Sequence, residues 1–301
     1  MRVFAIVVAY HPDTARLSLL CRTLENSGAR VVIVDNTESG TGATSELIDA
    51  CTQIRLADNT GIAHAQNLGI AHALDRDAEV IVFFDQDSEP DESFLGRLLA
   101  GIAPGQPGVV APVCIDKETG QELPSFRLNR LGWRSKVFSR EAGSPYPVDL
   151  VIASGSAATA VTFPLVGKMD EDFFIDFVDF EWCLRCRDRQ VPVRVVPGAI
   201  MRHSLGERTV DFGLIGSPVH GAMRTYYKIR NSFLLFRKPA VPLLYAISST
   251  FFGIIRFFLV LPGLENRAAY MRVFVAAVRD GLNGVGGRNP SPAVQGVASN
   301  G

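Results

Sequence analysis

Val80-Ile81-Val82-Phe83-Phe84-Asp85-Gln86-Asp87-Ser88 decides the fold. Five unbroken apolar residues, β-branched and aromatic, read as a strand buried on both faces, as the interior of a parallel sheet requires. Asp85 and Asp87 stand at its C-terminal end. In near-extended chain, residues two apart point the same way, so the two carboxylates can converge just past the sheet edge, where open α/β sheets bind ligands. Carboxylates this close repel unless a cation neutralises them. Oxygen-only donors favour Mg²⁺ or Mn²⁺ holding a substrate diphosphate. The plainer alternative is a solvated turn whose acids cap a helix beginning near Pro90.

Strands and helices alternate outward from this stretch. Val3 to Ala9 reads as a buried strand, Asp13 to Ser27 as a helix closed by Gly28, and Val31 to Val34 as a strand ending in Asp35-Asn36. Strand, helix and strand within ~35 residues make a βαβ unit whose strands end at one edge. Thr44 to Cys51 reads as a short helix, Gln53 to Leu56 as a strand ending at Asp58-Asn59, and the segment from Gly61 to Leu74 as a helix carrying Asn67. Four strand ends therefore form a polar rim of Tyr10-His11, Asp35-Asn36, Asp58-Asn59 and Asp85-Gln86-Asp87, which suits a nucleotide better than a lipid. Each rim residue has a structural alternative: Asp35 as a cap, Asn59 as a turn residue with Gly61, Asn67 as an exposed helix position.

The chain has 301 residues, 47% of them hydrophobic, which is ample for one large domain and an appendage. The expected division is residues 1–235 and 236–301. Net charge is −1 but uneven: from Gly213 onward ten basic residues face two acidic ones, a net +8 on an otherwise acidic body. That points to an anionic partner, a membrane surface or phosphate. Nucleic acid is not expected, because the cations are interleaved with long apolar runs. Five scattered cysteines imply no disulfide framework and fit a reducing compartment. Cys183-Leu184-Arg185-Cys186 lacks a second pair and reads as helix packing. The Val3–Ala9 run is too short for a signal peptide and lacks a small-residue cleavage site.

Val109 to Cys114 reads as a strand, and Trp133 to Tyr146 as a loop-rich excursion. An apolar run from Val148 leads into Ser154-Gly155-Ser156, small enough for close backbone approach to a ligand or for a bulge. Asp170 to Trp182 mixes bulky aromatics with six acids. Aromatic walls exclude water and raise a carboxylate's basicity, as a general base needs; an acidic first turn of the helix opening at Asp179 is the structural alternative. Val191 to Val196 reads as a strand with a Pro197-Gly198 turn after it. His203 follows in a polar segment with Arg202, Gly206 and Arg208, in reach of a metal or phosphates. Arg224, Lys228 and Asn231 share a helix face, as a diphosphate clamp or a basic face toward lipid. Val241 to Leu261 holds one charge, Arg256, in twenty-one residues. That length can span a bilayer, but Ser248-Ser249-Thr250 and Arg256 favour a helix lying in the interface, with an oligomer interface as the alternative. The residues from Gly284 to Gly301 are Gly, Pro, Ser and Asn rich and are expected to fray.

These pieces together resemble family 2 glycosyltransferases of the GT-A fold, most closely bacterial rhamnosyltransferases that use dTDP-L-rhamnose. The matching residues are Val7-Val8-Ala9-Tyr10, Val34-Asp35-Asn36, Asp58 to Ala63 with Asn67 to Ile70, Phe84-Asp85-Gln86-Asp87-Ser88, Phe173 to Glu181, His203, and Tyr226-Tyr227 with Arg230-Asn231. The resemblance implies a mixed, mainly parallel α/β sheet flanked by helices, with the C-terminal helical segment associating with a membrane. It implies donor contacts from Ala9, Tyr10, Asp35, Asn59, Gly61, Asn67, Asp85, Gln86 and Arg230, with Mg²⁺ or Mn²⁺ on Asp85, Asp87 and His203. It makes Asp179 the general base, with Asp176 and Glu181 as alternatives, since Val178 replaces the first acid of the usual pair. The reaction implied is inverting transfer of rhamnose to a glycan or lipid-linked acceptor, on the cytoplasmic face of the inner membrane, with a homo-oligomer possible. Another nucleotide sugar as donor is the nearest alternative. A nucleotidyltransferase would need a Gly-rich basic loop where Tyr10-His11-Pro12-Asp13 stands, and a silent binding protein need keep neither Asp85 and Asp87 nor Asp179.

Overall fold

The computed structural model describes residues 1–38, 51–139, 142–203, 209–211, 216–218, 221–264 and 266–288. The helix expected from Thr44 lies outside the described residues, as do Gly206 and Arg208 and the tail beyond Arg288.

Strands β1 (Val3–Ala9), β2 (Arg30–Asp35), β3 (Thr52–Arg55) and β4 (Val80–Asp85) are parallel in the order β3-β2-β1-β4. Their helices are α1 (Thr14–Asn26), started by the Asp13 carboxylate accepting from Ala15 and Arg16 N–H, and α2 (Ile62–Leu74). After α3 (Phe94–Leu99) come β5 (Val109–Asp116), the short β6 (Glu122–Leu123), and a hairpin of β7 (Ser125–Leu128) and β8 (Arg134–Val137). Its second strand, β8, falls in the Trp133 to Tyr146 stretch expected to be loop-rich. β9 (Tyr146–Val148) and β10 (Ala157–Thr159) follow, then α4 (Thr162–Val166), α5 (Val178–Asp188) and β11 (Val193–His203).

The sheet continues β4-β10-β5-β11-β9. β10 is antiparallel to both neighbours and β9 to β11, so the sheet is mixed but mainly parallel. Pro197-Gly198 is a correction to the sequence reading: β11 runs through it, and its register against β5 shifts between Val196 and Ile200. A bulge absorbs the missing proline N–H without ending the strand.

β4 packs on both faces, as its sequence demands. Ile81 and Phe83 join one core cluster, and Val80, Val82 and Phe84 join the other. Complete burial of a side chain such as Ile81 contributes about 1.5–3 kcal/mol. α2 lies so close to β1 that a Cβ on Gly69 would come within 2.6 Å of Ile6 Cγ2. After a backbone hairpin of β12 (Thr209–Asp211) and β13 (Gly216–Pro218), α6 (Ala222–Leu234), α7 (Leu243–Val260) and α8 (Arg267–Asn283) pack together around Tyr226, Tyr227, Phe257 and Val273. All five cysteines are free, and Cys183 and Cys186 are buried in the packed side of α5.

Candidate active site

Register fixes where the strand ends meet. Val8 lies beside Asp85, and Ala9 beside Asp35. Beyond them opens a cleft of about 1310 Å³, lined by Tyr10, Asn36, Glu38, Asn59, Gly61, Asp85 and Gln86 on the strand-end side. Gln86 ties the two central ends together: Tyr10 N–H donates to its Oε1 at 2.6 Å, and its Nε2 donates to Tyr10 O at 3.1 Å. Asn36 Nδ2 donates to Asn59 Oδ1 at 3.0 Å, and Asn36 Oδ1 accepts from Thr60 N–H at 2.8 Å. Burial raises the Tyr10 phenol above its ordinary value, so it stays a neutral hydrogen-bonding group at the rim.

Three expected donor contacts sit behind this rim and hold it. Ala9 is buried, and its carbonyl accepts from Asn36 N–H. Asp35 is buried and caps Thr37 N–H at 3.1 Å. Asn67 is buried against the chain before the Phe174–Asp179 loop, accepting from Met169 N–H at 2.8 Å and donating to Met169 O at 2.9 Å. None of the three lines the cleft.

The second wall is the loop from Phe174 to Asp179. Phe174, Asp176 and Phe177 all have positive φ, at 57°, 61° and 68°. Such residues cost of the order of 1–3 kcal/mol each and persist only where the surroundings over-determine them. Here the surroundings are Arg230 and Asn231 of α6. Asn231 Nδ2 faces the carbonyls of Phe173, Ile175 and Asp176 at 2.7, 2.7 and 3.0 Å. Arg230 donates to Asp172 O, Val285 O and Gly287 O at 2.9–3.0 Å, and its guanidinium lies 4.9 Å from the Tyr227 ring centre. Phe174 stacks on the same ring, centroids 4.5 Å apart. Arg230, expected to touch the donor, is fully buried and does not line the cleft. Its donors are turned inward because the chain just before the strained loop and the returning tail supply the carbonyls they need. Gly61 is held to glycine by this loop: at φ +90°, a Cβ there would meet Phe174 at 2.5 Å.

Asp179 opens α5 and lines the cleft. Its Oδ2 accepts from Ala153 N–H at 3.3 Å and its Oδ1 from Phe180 N–H at 2.9 Å. Burial pushes its carboxyl up to about 6; the two amides pull down, and the charges of Asp176 and Asp85 push up. The adjacent Ser154 hydroxyl meets Asp85 N–H at 3.5 Å and Ser88 Oγ at 2.9 Å, so one short segment touches both the strand end and Asp179. Asp176 also lines the cleft, paired with Arg224 at 3.3 Å. Glu181 faces the core instead, its two oxygens gripped by Arg185 at 2.8–3.0 Å.

Of the expected metal residues, Asp85 lines the cleft and Asp87 is half-buried two residues on. His203 ends β11 next to Arg202, whose backbone bridges Glu89, so the backbone brings it to the same rim; its side chain lies outside the described atoms. Among the described residues no three carboxylate, His or Cys groups form a ready-made metal cage. One or two carboxylates completed by substrate phosphates is how Mg²⁺ is usually bound, and the oxygen donors here fit that pattern.

Two contributions escaped the sequence reading. Ser249, Phe252 and Arg256, from the segment expected to be an appendage, line the cleft. Arg288, counted only as tail charge, also lines it, 3.6 Å from Asp58. The described tail is tied back by Gly287 N–H donating to Asp172 O at 2.8 Å. The signal available was a lone arginine among glycines after a helix, which says nothing about where the chain returns.

Residues 12–160 match the family described as glycosyl transferase family 2. The dTDP-rhamnosyl transferase RfbF of Shigella flexneri is 36% identical over 286 residues, 95% of this chain and 97% of that protein. Among solved structures, residues 1–349 of S. aureus TarS in complex with UDP-GlcNAc align with a TM-score of 0.58 at 14% identity, over 95% of this chain and 82% of that one. GalNAc-T7 with UDP, GalNAc and Mn²⁺ aligns with a TM-score of 0.57 at 14% identity, over 80% of this chain and 52% of that one. The last two likenesses concern the fold.

Proposed function

The chain belongs to glycosyl transferase family 2 and is a glycosyltransferase of the GT-A fold, and from that premise we propose that it moves L-rhamnose from dTDP-L-rhamnose to an acceptor hydroxyl with inversion. The observation that carries the mechanism is Asp179: a carboxylate raised to about 6, fixed by two backbone amides, in the wall of a cleft whose other side is the Asp85 strand end. The donor sugar is supported by the relative's name and by its near-complete coverage of both chains.

Asp179 takes the proton from the acceptor hydroxyl as its oxygen attacks the rhamnose anomeric carbon. The bond from that carbon to the dTDP oxygen breaks on the opposite face, and dTDP leaves with the electron pair. A base fixed by packing holds the hydroxyl in line, which is where much of the rate gain from orientation arises. General-base assistance itself is typically worth ~10² to 10⁴ in rate. Asp85 and Asp87, with His203, would hold Mg²⁺ or Mn²⁺ on the diphosphate; such a cation, when bound, offsets charge developing on the leaving group. Tyr10, Asn59 and Gln86 orient the nucleotide side of the donor, and Arg288 adds a positive charge there.

The reading also puts α7 on an anionic membrane surface at the cytoplasmic face of the inner membrane. Its support is the apolar helical stretch Leu243–Gly263, within which an 18-residue window has a mean hydropathy of 1.9 and only 33% of that window is buried, beside a net +8 in the C-terminal third. Small polar Ser248, Ser249 and Thr250 face inward while Phe251, Phe258 and Leu259 face out. That orientation suits a helix lying on a bilayer.

The test is a donor screen with purified full-length protein and Mg²⁺, comparing dTDP-L-rhamnose with UDP- and GDP-sugars. Release of dTDP from dTDP-L-rhamnose well above release from the others is expected. Preference for a UDP- or GDP-sugar would overturn the donor assignment.

A further inference from the structure

Asp172 gathers the tail, α6 and the chain just after α6. Its carbonyl accepts from Gly287 N–H at 2.8 Å and from Arg230 Nη2 at 3.0 Å, and its carboxylate holds Lys238 Nζ at 2.8 Å. The tail takes its seat here through its backbone. Gly284 ends α8 at φ +73°, and Val285 N–H turns back to Asp280 O at 2.9 Å. Arg230 Nη1 then donates to both Val285 O and Gly287 O, at 3.0 and 2.9 Å. The approach is so close that a Cβ on Gly286 would fall 2.8 Å from Asp172 Cβ, nearer than non-bonded carbons stand. From Gly284 to Arg288 the chain is therefore held, where its composition suggested fraying.

What this seat delivers is Arg288. The residue follows Gly287 directly, lines the cleft with Tyr10 and Asn59, and stands 3.6 Å from Asp58. Burial raises the Tyr10 phenol, and the charge of Arg288 acts against that rise. Asp58 follows β3, and the order β3-β2-β1-β4 sets β3 three strand spacings, about 14 Å, from β4 and Asp85. With the donor diphosphate at Asp85, Arg288 stands at the nucleoside end.

We infer that residues 284–288 are a strap that positions Arg288 on the nucleoside of the donor, and that Arg230 and Gly286 act on donor binding through this strap. The inference rests on the nucleotide-sugar reading and goes beyond it. Arg230 is then a positioning residue, which accounts for a buried arginine that does not line the cleft. Its planar fork carries donors in fixed directions, so one side chain can hold two tail carbonyls and Asp172 O together; a lysine has a single nitrogen for all three. The neighbours on α6 divide the work: Asn231 grips the Phe174–Asp179 loop, and Arg230 grips the tail.

The probe is dTDP, titrated calorimetrically into full-length protein with Mg²⁺. Arg288→Ala should weaken it about tenfold, the worth of one charge-assisted contact. Gly286→Val replaces no side chain of the cleft, yet it should weaken dTDP by a similar factor because the tail can no longer lie on Asp172. The double variant should bind within about twofold of either single one, since an unseated strap has no Arg288 contact left to lose. Losses that multiply in the double variant, or parent-like affinity in Gly286→Val, would overturn the strap. Arg230→Lys is a second route: dTDP should weaken about tenfold while turnover at saturating donor falls less than threefold. Lost turnover with unchanged dTDP affinity would assign Arg230 to the loop and overturn its part in the strap. Titration with dTMP locates the contact. The Arg288→Ala loss should persist there, and a loss confined to dTDP would place Arg288 on the β-phosphate and overturn the nucleoside assignment. None of these titrations needs the donor sugar. A parent that prefers UDP to dTDP would refute the proposed donor, and the same variants titrated with UDP would still decide the strap.

Discussion

Asp179 accepts a hydrogen bond from the backbone amide of Ala153 at 3.3 Å, and that amide belongs to the segment whose next residue meets the Asp85 strand end. The proposed base and the strand end proposed to hold the donor are thereby tied to one piece of backbone. A misplacement of either by an ångström is enough to slow a reaction that depends on in-line attack.

The raised carboxyl of Asp179 predicts the pH dependence. With the value near 6, transfer measured as kcat/KM should fall tenfold per pH unit below about 6 and level off above about 7. Stability moves the opposite way. A folded-state value above the unfolded one means the folded protein binds more protons between pH 4 and 6, so this group's contribution is present below pH 4 and lost as pH rises through 6. Asp179→Asn removes this cost of up to about 3 kcal/mol at pH 7.5 but leaves one of the two backbone amides without its acceptor, about 1–3 kcal/mol, so urea unfolding should show a stability close to the parent's.

Asn231 is predicted to act through the loop it grips. Asn231→Ala leaves the carbonyls of Phe173, Ile175 and Asp176 without their shared donor while three residues there keep positive φ. Stability should drop by about 2–3 kcal/mol, the cost of buried groups left unpaired. The rate of transfer should drop more than donor affinity, because Asp179 loses its position and the Tyr10 rim does not. Equal losses in kcat and in donor binding would show that the loop supports the donor half as well.

β4 was legible because an apolar run ending in acids admits few other folds, and its two core faces follow from strand alternation. The strained loop was legible as a place but not as a geometry. Arg230 and Asn231 are polar residues in a motif near the site, which from sequence reads as ligand contact. Only the tertiary fold reveals that those donors serve backbone carbonyls around the strained loop and in the returning tail. Ser249 and Arg256 were read as interruptions of an apolar run. They lie on the cleft side of α7, a placement that became meaningful once α6 was packed beside it. The β7–β8 hairpin was missed because its strands are four residues long and mostly polar on the outside.

Arg288 should matter to the donor alone. Arg288→Ala removes a cation beside Asp58 in the cleft, so KM for the nucleotide sugar should rise by about tenfold, a charge-assisted contact of ~1.4 kcal/mol. The acceptor KM should hold. A shift in the acceptor KM instead would move Arg288 to the other half of the cleft.

Membrane association should depend on the outer face of α7. Replacing Phe251, Ile255 and Phe258 together with Ser removes three exposed apolar side chains without touching the inward Ser249 and Arg256. Binding to phosphatidylglycerol vesicles in a sedimentation assay should fall by at least ~100-fold, given about 1.5–3 kcal/mol per large side chain fully buried. Vesicle binding that survives the triple change would mean that the basic surface alone carries the attachment.

The central claim is that Asp179 is the base, and steady-state comparison of Asp179→Asn with the parent enzyme tests it most directly, with donor affinity measured separately by titration. The substitution keeps the shape and one of the two backbone hydrogen bonds, since an amide has a single acceptor oxygen, and it cannot take a proton. Transfer should fall by at least ~10² with donor affinity nearly unchanged, the pattern of an interaction made only in the transition state. A parent-like rate would contradict the claim and move the base to Asp176, the other carboxylate on this wall of the cleft, and an equal loss of donor affinity would assign Asp179 to donor binding.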